Sequence, residues 1–222
     1  MNKTGIHQVA TIAGIIFLGA CNQGPRSEKA KTSDAVDADK TEISGVSHVV
    51  DVEKSYINWI GHKPTGSHNG KVYLDEGTLV TKDSEIKGGS FTINMNTIEN
   101  HDLKDPDRNN KLVRHLKSED FFHVEVFPSA TFDITDFSAN PNNKNKGILM
   151  GNLTMRGITK SVSFPVTVKK ENNSFTGTSE VFTIDRTDWD VNFKSKSVFE
   201  NLRDDFINDE MELKIFLVAH EQ

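Results

Sequence analysis

The chain has very little cysteine and no concentration of positive charge. Among its 222 residues only Cys21 is a cysteine, so no disulfide can form within the chain. The formal net charge is -6, and lysine and arginine do not cluster. Because nucleic-acid phosphates call for a basic surface, this balance argues against a nucleic-acid partner. The position of Cys21, rather than pairing, must therefore explain its presence.

Motifs typical of enzymes and of metal sites are also absent from the sequence. The stretch GSHNG at 66–70 lacks the GxSxG spacing, there is no phosphate-binding loop, and the eight histidines form no HExxH-like pattern. His62 and His68 flank a turn, where two solvated or loop-stabilising histidines are favoured over a metal site. No two of the Asp and Glu residues stand out in the sequence as a general acid–base pair. The sequence therefore predicts no catalytic residue, no metal and no cofactor.

The N-terminus contains an apolar run that is too short to span a bilayer as a helix. The run covers 12 residues from Val9 to Ala20, whereas a spanning helix needs about 20. It suits the apolar region of an export signal. Its end, LGAC at 18–21, resembles the bacterial lipobox, which implies a lipoprotein signal peptide over 1–20 and lipidation of Cys21. A chance cysteine after an ordinary signal peptide is the alternative.

The segment after Cys21 has a composition unlike that of the rest of the chain. Residues 22–46 contain no aromatic side chain and carry charges of both signs. Such a stretch cannot bury enough apolar surface to offset the entropy lost on ordering. We therefore expect 21–46 to be a lipidated flexible tether with a reach of about 25–30 Å, followed by a folded domain over 47–222.

The folded part has the period-two hydrophobic pattern of β-strands with one buried face. Turn-forming residues separate the apolar segments, and no alternation of strand with helix suggests a parallel sheet. The pattern predicts an all-β domain of about eight antiparallel strands, closed as a barrel or a sandwich. The alternation is clearest at 90–95, 162–169 and 211–217, and weaker at 56–63, 72–80, 131–137, 148–156 and 175–184.

One segment, at about 107–122, departs from the β-pattern. Leu112 and Leu116 have helical spacing, which predicts a short helix over 109–116. Ser118 is placed as the N-cap of a second turn. Long excursions of this kind in compact domains usually serve a function, so we expect this one to cover the mouth or the flank of the barrel.

Three motifs in order identify a family resemblance. HLKSEDFFHVEVFPSATF (115–132), GNLTMRGITKSVSFPV (151–166) and IDRTDWDV (184–191) resemble the YceI-like family of bacterial lipid-binding proteins over roughly 47–219. The resemblance implies an elongated eight-stranded antiparallel barrel, similar to a lipocalin, with a helical element on one side. It further implies export to the periplasm and a cavity for a long isoprenoid or similar amphiphilic chain. The chain departs from the family pattern at His123 and at Trp189-Asp190.

The resemblance and the strand pattern together give candidate ligand-binding residues. Phe121, Phe122 and Phe127 are expected to turn inward, although they could instead close the core without touching a ligand. His115 and Arg186 are head-group candidates, with an internal ion pair between Arg186 and Asp188 as the alternative. The further cavity candidates are Trp59, Phe91, Ile93, Phe164, Val166, Phe182, Trp189, Ile215 and Leu217.

The function expected from these features is non-catalytic binding of a long apolar lipid by an exported, membrane-tethered lipoprotein. Its partners would be the lipid, the membrane through the lipid anchor and, through an exposed flank, a second copy of the chain. The anchor would hold it in the cell envelope, at the periplasmic face or at the outer membrane. The alternatives are a structural barrel with a filled core and an enzyme that acts on an isoprenoid lipid.

Overall fold

The structure is a computed structural model that describes residues 27–37, 44–83 and 85–222. The proposed signal peptide and Cys21 lie outside the described residues. The one α-helix within these ranges is α1 (Pro106–Lys117), and a short 3₁₀-helix covers Arg186–Trp189. The strands are β1 (Glu28–Lys29), β2 (Lys31–Asp34), β3 (Val46–Val50), β4 (Tyr56–Lys63), β5 (Gly66–Lys82), β6 (Glu85–Asn100), β7 (Ser129–Asn140), β8 (Asn143–Met155), β9 (Ile158–Glu171), β10 (Ser174–Ser179), β11 (Phe182–Asp185) and β12 (Glu210–Glu221).

The strands close into a barrel. Antiparallel pairing runs from β4 through β5, β6, β7, β8, β9 and β10 to β12, and β12 pairs back with β4. Two positions in the wall are each shared by two short strands, β3 with β4 and β10 with β11. Counted this way, the described residues form the predicted eight-stranded antiparallel barrel. It is elongated, since β5 has 17 residues and would extend about 55 Å when fully straight.

The predicted strands are present, with changes at their ends. β5 begins at Gly66, six residues before the predicted start. The single strand predicted over 175–184 is two strands in the structure. β10 pairs with β9 up to Ser179, and the chain then leaves β9 before β11 begins. The tight turn predicted at Gly157 is confirmed, and Arg156 and Gly157 both have positive φ, 50° and 75°. These angles suit a two-residue hairpin connection.

The expectation of an unstructured tether over 21–46 is wrong for residues 28–34. These residues form β1 and β2, which pair with β11 and β9. The composition of this segment does not predict the two strands. They form because the edges of β9 and β11 offer backbone hydrogen bonds, and not because the segment itself buries apolar side chains. The remainder of the predicted tether up to residue 26, together with 38–43, lies outside the described residues.

The helical excursion is confirmed, but its capping differs from the expectation. Asp105 is the N-cap of α1, and its side chain accepts a hydrogen bond from the Arg108 backbone N–H at 2.9 Å. Ser118 ends the helix instead of starting a new one, and its hydroxyl donates to the His115 carbonyl at 2.8 Å. We call residues 118–127, which follow in a series of turns, the Phe-rich loop.

Candidate functional site

Two adjoining apolar cavities occupy the interior of the barrel. The distal cavity has a volume of about 90 Å³, and the helix-side cavity has a volume of about 140 Å³. Ile57 of β4 and Ile93 of β6 line both cavities, so the two compartments meet at these side chains. The two cavities are therefore neighbours inside the barrel, with Ile57 and Ile93 at their boundary.

The helix-side cavity lies next to α1 and the Phe-rich loop. No titratable side chain is among the described residues that line it. Phe121 and Phe122 close it from the loop, and Leu116 closes it from the helix. The strand residues that line it are Ile57, Trp59, Gly61, Val72, Ile93, Met95, Ile98, Ala130, Leu153, Met155, Ile184, Met211 and Leu213.

The distal cavity is almost as apolar. Thr178 and Ser179 are the polar residues among those that line it. The lining includes six candidates from the sequence: Phe91, Ile93, Phe164, Val166, Ile215 and Leu217. Its other lining residues are Ile57, Leu74, Leu79, Ile86, Phe132, Ile134, Leu149, Val168, Phe175 and Gly177.

A larger groove of about 710 Å³ opens from the helix-side cavity to the outside. The groove runs between α1 and the segment 193–207, and it shares Trp59, Leu116 and Phe121 with the helix-side cavity. Unlike the interior, its lining mixes aromatic and charged residues. An apolar chain in the cavity and a polar end in the groove would each meet a suitable surface.

Histidine–carboxylate pairs lie along the groove. His62 Nε2 is 2.8 Å from Glu212 Oε1, and His68 Nδ1 is 2.8 Å from Asp102 Oδ2. Burial acts to raise the pKa of Asp102, but hydrogen bonds from the Asn69 N–H and from His68 outweigh it and hold the pKa below its usual value. Both histidines therefore have structural partners, as favoured from the sequence. Within the described ranges no three metal-ligating side chains form a cluster.

Arg156 fixes the Phe-rich loop to the barrel. Its guanidinium donates to the carbonyl oxygens of Phe121 and, at 3.3 Å, Glu119. The Phe121 ring also packs against Phe193, with centroids 5.4 Å apart, and edge-on to His115 at 5.0 Å. The β8–β9 turn, the loop and the helix are thereby held together at this end of the cavity.

Three aromatic candidates lie outside both cavities. The ring of Phe127 packs edge-on against the ring of His123, with ring centroids 5.9 Å apart. Phe182 stacks on Phe164 with ring centroids 4.3 Å apart, and so supports the cavity wall from behind. Trp189 is fully buried, and its indole N–H donates to the Leu153 carbonyl at 3.1 Å. Phe182 and Trp189 are therefore buried among their neighbours, whereas Phe127 is partly exposed.

The two head-group candidates lie in different settings. His115 lines the groove and is 2.9 Å from Asp120. Arg186 is only 3% exposed and donates to the carbonyls of Val191, Ile207 and Asn208. The placement of Arg186 in a head-group site is therefore not supported. Its carboxylate partner is Asp209 at 3.5 Å, not the predicted Asp188.

The sequence reasoning missed most of the lining, although the signal was present for part of it. Met211 and Leu213 alternate in phase with Ile215 and Leu217, and Met95 is in phase with Ile93. Extending the alternation along each strand would have found them. Ile184 is likewise in phase with the candidate Phe182, whereas Phe175 is the one large apolar residue of β10 and carried no such signal.

No helix in the described part of the chain has the length and apolar character needed to cross a membrane.

The fold and the site define the class of the protein, an antiparallel β-barrel with an apolar interior and a lateral helix. The sequence matches the YceI-like domain over residues 48–219. The chain therefore belongs to the YceI-like family, as the resemblance indicated.

Two solved structures have a similar fold. BcnA from Burkholderia cenocepacia is matched with a TM-score of 0.60 and 22% identity, over 76% of this chain and 98% of that chain. A polyisoprenoid-binding domain from Saccharophagus degradans is matched with a TM-score of 0.57 and 11% identity, over 80% of this chain and 99% of that one. At these identities the likeness establishes the fold.

Curated relatives match over a shorter stretch. A UPF0312 protein of Pseudomonas aeruginosa (strain LESB58) is 39% identical over 79 residues, which is 35% of this chain and 34% of the relative. A UPF0312 protein of Yersinia enterocolitica is 35% identical over 75 residues, or 33% of each chain. The match spans about a third of the length of these relatives.

Proposed function

We propose that the protein binds a lipid with a long apolar chain, without chemical conversion, and that the chain occupies the two interior cavities. The observation that carries this proposal is the lining of the cavities, in which the described residues include no ionisable side chain. Catalysis on the lipid would need a nucleophile, acid or base at the bound chain. The polyisoprenoid-binding domain with the same fold supports an isoprenoid as the ligand class.

Binding would be driven by transfer of the chain from water to the apolar interior. Each buried methylene contributes about 0.8 kcal/mol before costs. For a polyprenyl chain this sum would exceed the practical limit of roughly 20 kcal/mol for non-covalent affinity. Most of this favourable free energy must be cancelled by two costs. The lipid chain loses conformational entropy on binding, and it would otherwise lie in a membrane that is also apolar. Selectivity should therefore follow the length of the cavity rather than the area buried.

The polar end of the ligand would lie in the groove. The groove adjoins the helix-side cavity at Trp59 and Phe121 and carries the ring of His115 at its edge. The proposal includes export of the protein and its anchoring through lipidated Cys21. The LGAC motif at 18–21 supports this part of the proposal.

Substitution at the junction of the two cavities tests the proposal. Ile93→Phe adds a ring where the compartments meet and should block passage of a long chain into the distal cavity. Thr92→Phe on the same strand is the control, since the Thr92 hydroxyl points to Glu76 on the outside. The probes are solanesol, a long polyprenol, and farnesol, a short one, added to the delipidated protein while its unfolding temperature is measured.

Both probes should raise the unfolding temperature of the parent and of Thr92→Phe, because a ligand that binds only the folded state stabilises it. Ile93→Phe should keep the shift with farnesol and lose most of the shift with solanesol. Absence of any shift in the parent would exclude lipid binding. An equal solanesol shift in all three proteins would exclude the interior as the site of the long chain.

A further inference from the structure

The barrel wall has a fork beside the cavities. β9 and β10 pair as far as Val166 and Ser179, and the Glu180 N–H then donates to the Pro165 carbonyl at 3.1 Å. Proline has no N–H to continue the ladder. Beyond this point β11 pairs with β12 and not with β9. A gap therefore opens between residues 160–163 of β9 and β11.

Residues 28–34 fill this fork as an additional strand. β1 runs parallel to β11, with Glu28 opposite Phe182, and the Ala30 N–H donates to the Thr183 carbonyl at 2.9 Å. β2 runs antiparallel to β9, with Lys31 opposite Ser163. Adjacent strands lie about 4.8 Å apart, so the gap across the fork is about 10 Å when this strand is absent. A backbone gap of that width admits an extended hydrocarbon chain once the stacked rings of Phe164 and Phe182, whose centroids are 4.3 Å apart across the fork, separate.

The filling strand faces the interior with small side chains. Thr32 lies opposite Val162, which is in phase with Phe164 of the distal cavity. Ala30 belongs to the same buried cluster as Ile184, which lines the helix-side cavity. The strand thus lies against the walls of both compartments but does not itself line either of them.

Little apolar burial holds this strand in the fork. Ala30 is its one buried apolar residue, and Lys29, Lys31 and Ser33 are exposed. On the outer surface, the Asn152 side-chain amide donates to the Val36 carbonyl at 2.7 Å and accepts from the Val36 N–H at 3.0 Å. Apart from the backbone pairing with β9 and β11, the other contacts, such as Lys160 to Asp34 at 3.0 Å, are exposed ion pairs, which contribute little. Segments held in this way open locally before the whole fold does.

The position of the strand in the chain places the fork close to the proposed anchor. Six peptide units separate Cys21 from Ser27, and such a length spans at most about 20 Å. With Cys21 lipidated, the flank of the barrel that carries the fork is the part held nearest the membrane. The groove, by contrast, is bordered by paired charges that an apolar chain would have to pass.

We propose that the fork between β9 and β11 is a lateral portal for the apolar chain of the ligand, with residues 28–34 as the strand that closes it. This inference rests on the proposed function. When the strand leaves, water takes up the hydrogen-bonding edges of β9 and β11, and the chain passes sideways between bilayer and cavity. Re-pairing of the strand then seals the wall behind the ligand.

A disulfide across the fork tests the portal. Ser33 and Ser161 are opposite one another on the outer face, and Cα atoms of antiparallel partners are about 4.5–5.5 Å apart, within disulfide range. Ser33→Cys with Ser161→Cys is made in the exported chain carrying Cys21→Ser. Ser90→Cys with Asp133→Cys, opposite one another on β6 and β7, is the control. The rate of solanesol transfer from phosphatidylcholine vesicles is measured with each disulfide oxidised and reduced.

In the fork variant, oxidation should slow solanesol transfer by about tenfold or more, because local opening is then blocked. The transfer rate of the control variant and the amount of solanesol bound at saturation should stay unchanged. Equal rates in the two redox states of the fork variant would overturn the portal while leaving lipid binding intact. If even the reduced proteins and the parent take up no solanesol, the proposed function fails and the portal fails with it.

Amide hydrogen exchange gives a readout that needs no ligand. Exchange over residues 28–34 should be much faster than in β7 and β8, and Asn152→Ala should accelerate it further by releasing Val36. If these amides exchange only as slowly as those of β7 and β8, the strand does not open and the portal is overturned, whether or not lipid binds.

Discussion

At the scale of single residues, we expect His48 to make the free energy of unfolding depend on pH. It is fully buried, its Nε2 is 3.0 Å from the Thr81 hydroxyl, and its ring packs edge-on to Phe175 at 4.6 Å. Burial lowers the pKa of His48 below its usual value, while Glu221 opposes this shift and Lys170 reinforces it. The folded state therefore holds His48 neutral at pH values where the unfolded chain already binds a proton.

The sign of the effect follows from this proton uptake. The free energy of unfolding should be unaffected by His48 above a pH of about 6.5 and should fall as the pH drops below that value. His48→Gln keeps a hydrogen-bonding side chain toward Thr81 and removes the titration. Urea unfolding at pH 7.5 and pH 5.5 should therefore show a smaller loss of stability for the variant than for the parent. If the parent and the variant lose the same free energy of unfolding between the two pH values, His48 is not the source of the pH dependence.

At the scale of elements, the Phe-rich loop depends on Arg156 in the β8–β9 turn. The guanidinium is mostly buried and bonds to two carbonyls of the loop. Arg156→Gln should lower the free energy of unfolding by about 1–3 kcal/mol, since hydrogen bonds to a charged group are lost. Lys146→Gln, on an exposed side chain of β8, is the control.

Denaturant unfolding and the rate of lipid loss check this prediction together. Phe121 and Phe122 close the helix-side cavity from the loop, so a loosened loop should also release bound lipid faster. Arg156→Gln behaving like Lys146→Gln in both measurements would show that the loop is held by its phenylalanine packing alone.

The same elements show what the sequence could predict. On β12 the apolar residues from Met211 to Leu217 alternate with period two, and that face lines the cavities. Periodicity works there because a regular strand turns alternate side chains to the same side. Phe121 and Phe122 both reach the cavity although they are adjacent, because they lie in turns. For these two, the family resemblance rather than the period gave the placement.

Other placements depend on contacts that a single sequence does not encode locally. Trp189 and Trp59 are both aromatic and apolar, yet one is sealed in the core and the other lines the cavity. The structural role of Arg186 follows from the backbone carbonyls of Ile207 and Asn208, which accept hydrogen bonds from its guanidinium and which the sequence alone does not place beside it. β2, with the sequence KTSD, has no strand signal, and its pairing comes entirely from the open edge of β9.

At the scale of the whole molecule, the barrel has an apolar interior between polar recesses. The charged groove lies at the α1 end, and a polar recess of about 220 Å³ at the opposite end shares Ile86, Val168 and Phe175 with the distal cavity. Such a molecule would shield the apolar chain of a lipid over the length of the barrel. Pairing with a second copy of the chain stays a prediction.

Native mass spectrometry of the exported protein, purified without detergent, is the most direct test of whether the interior holds a lipid. We predict a discrete adduct that extracts into organic solvent and whose mass fits a polyprenyl or similar long-chain lipid. A bare protein mass that persists after incubation with polyprenols and fatty lipids would contradict lipid binding. The Phe-rich loop would then be a plug, and the barrel a structural or interaction module with a filled core.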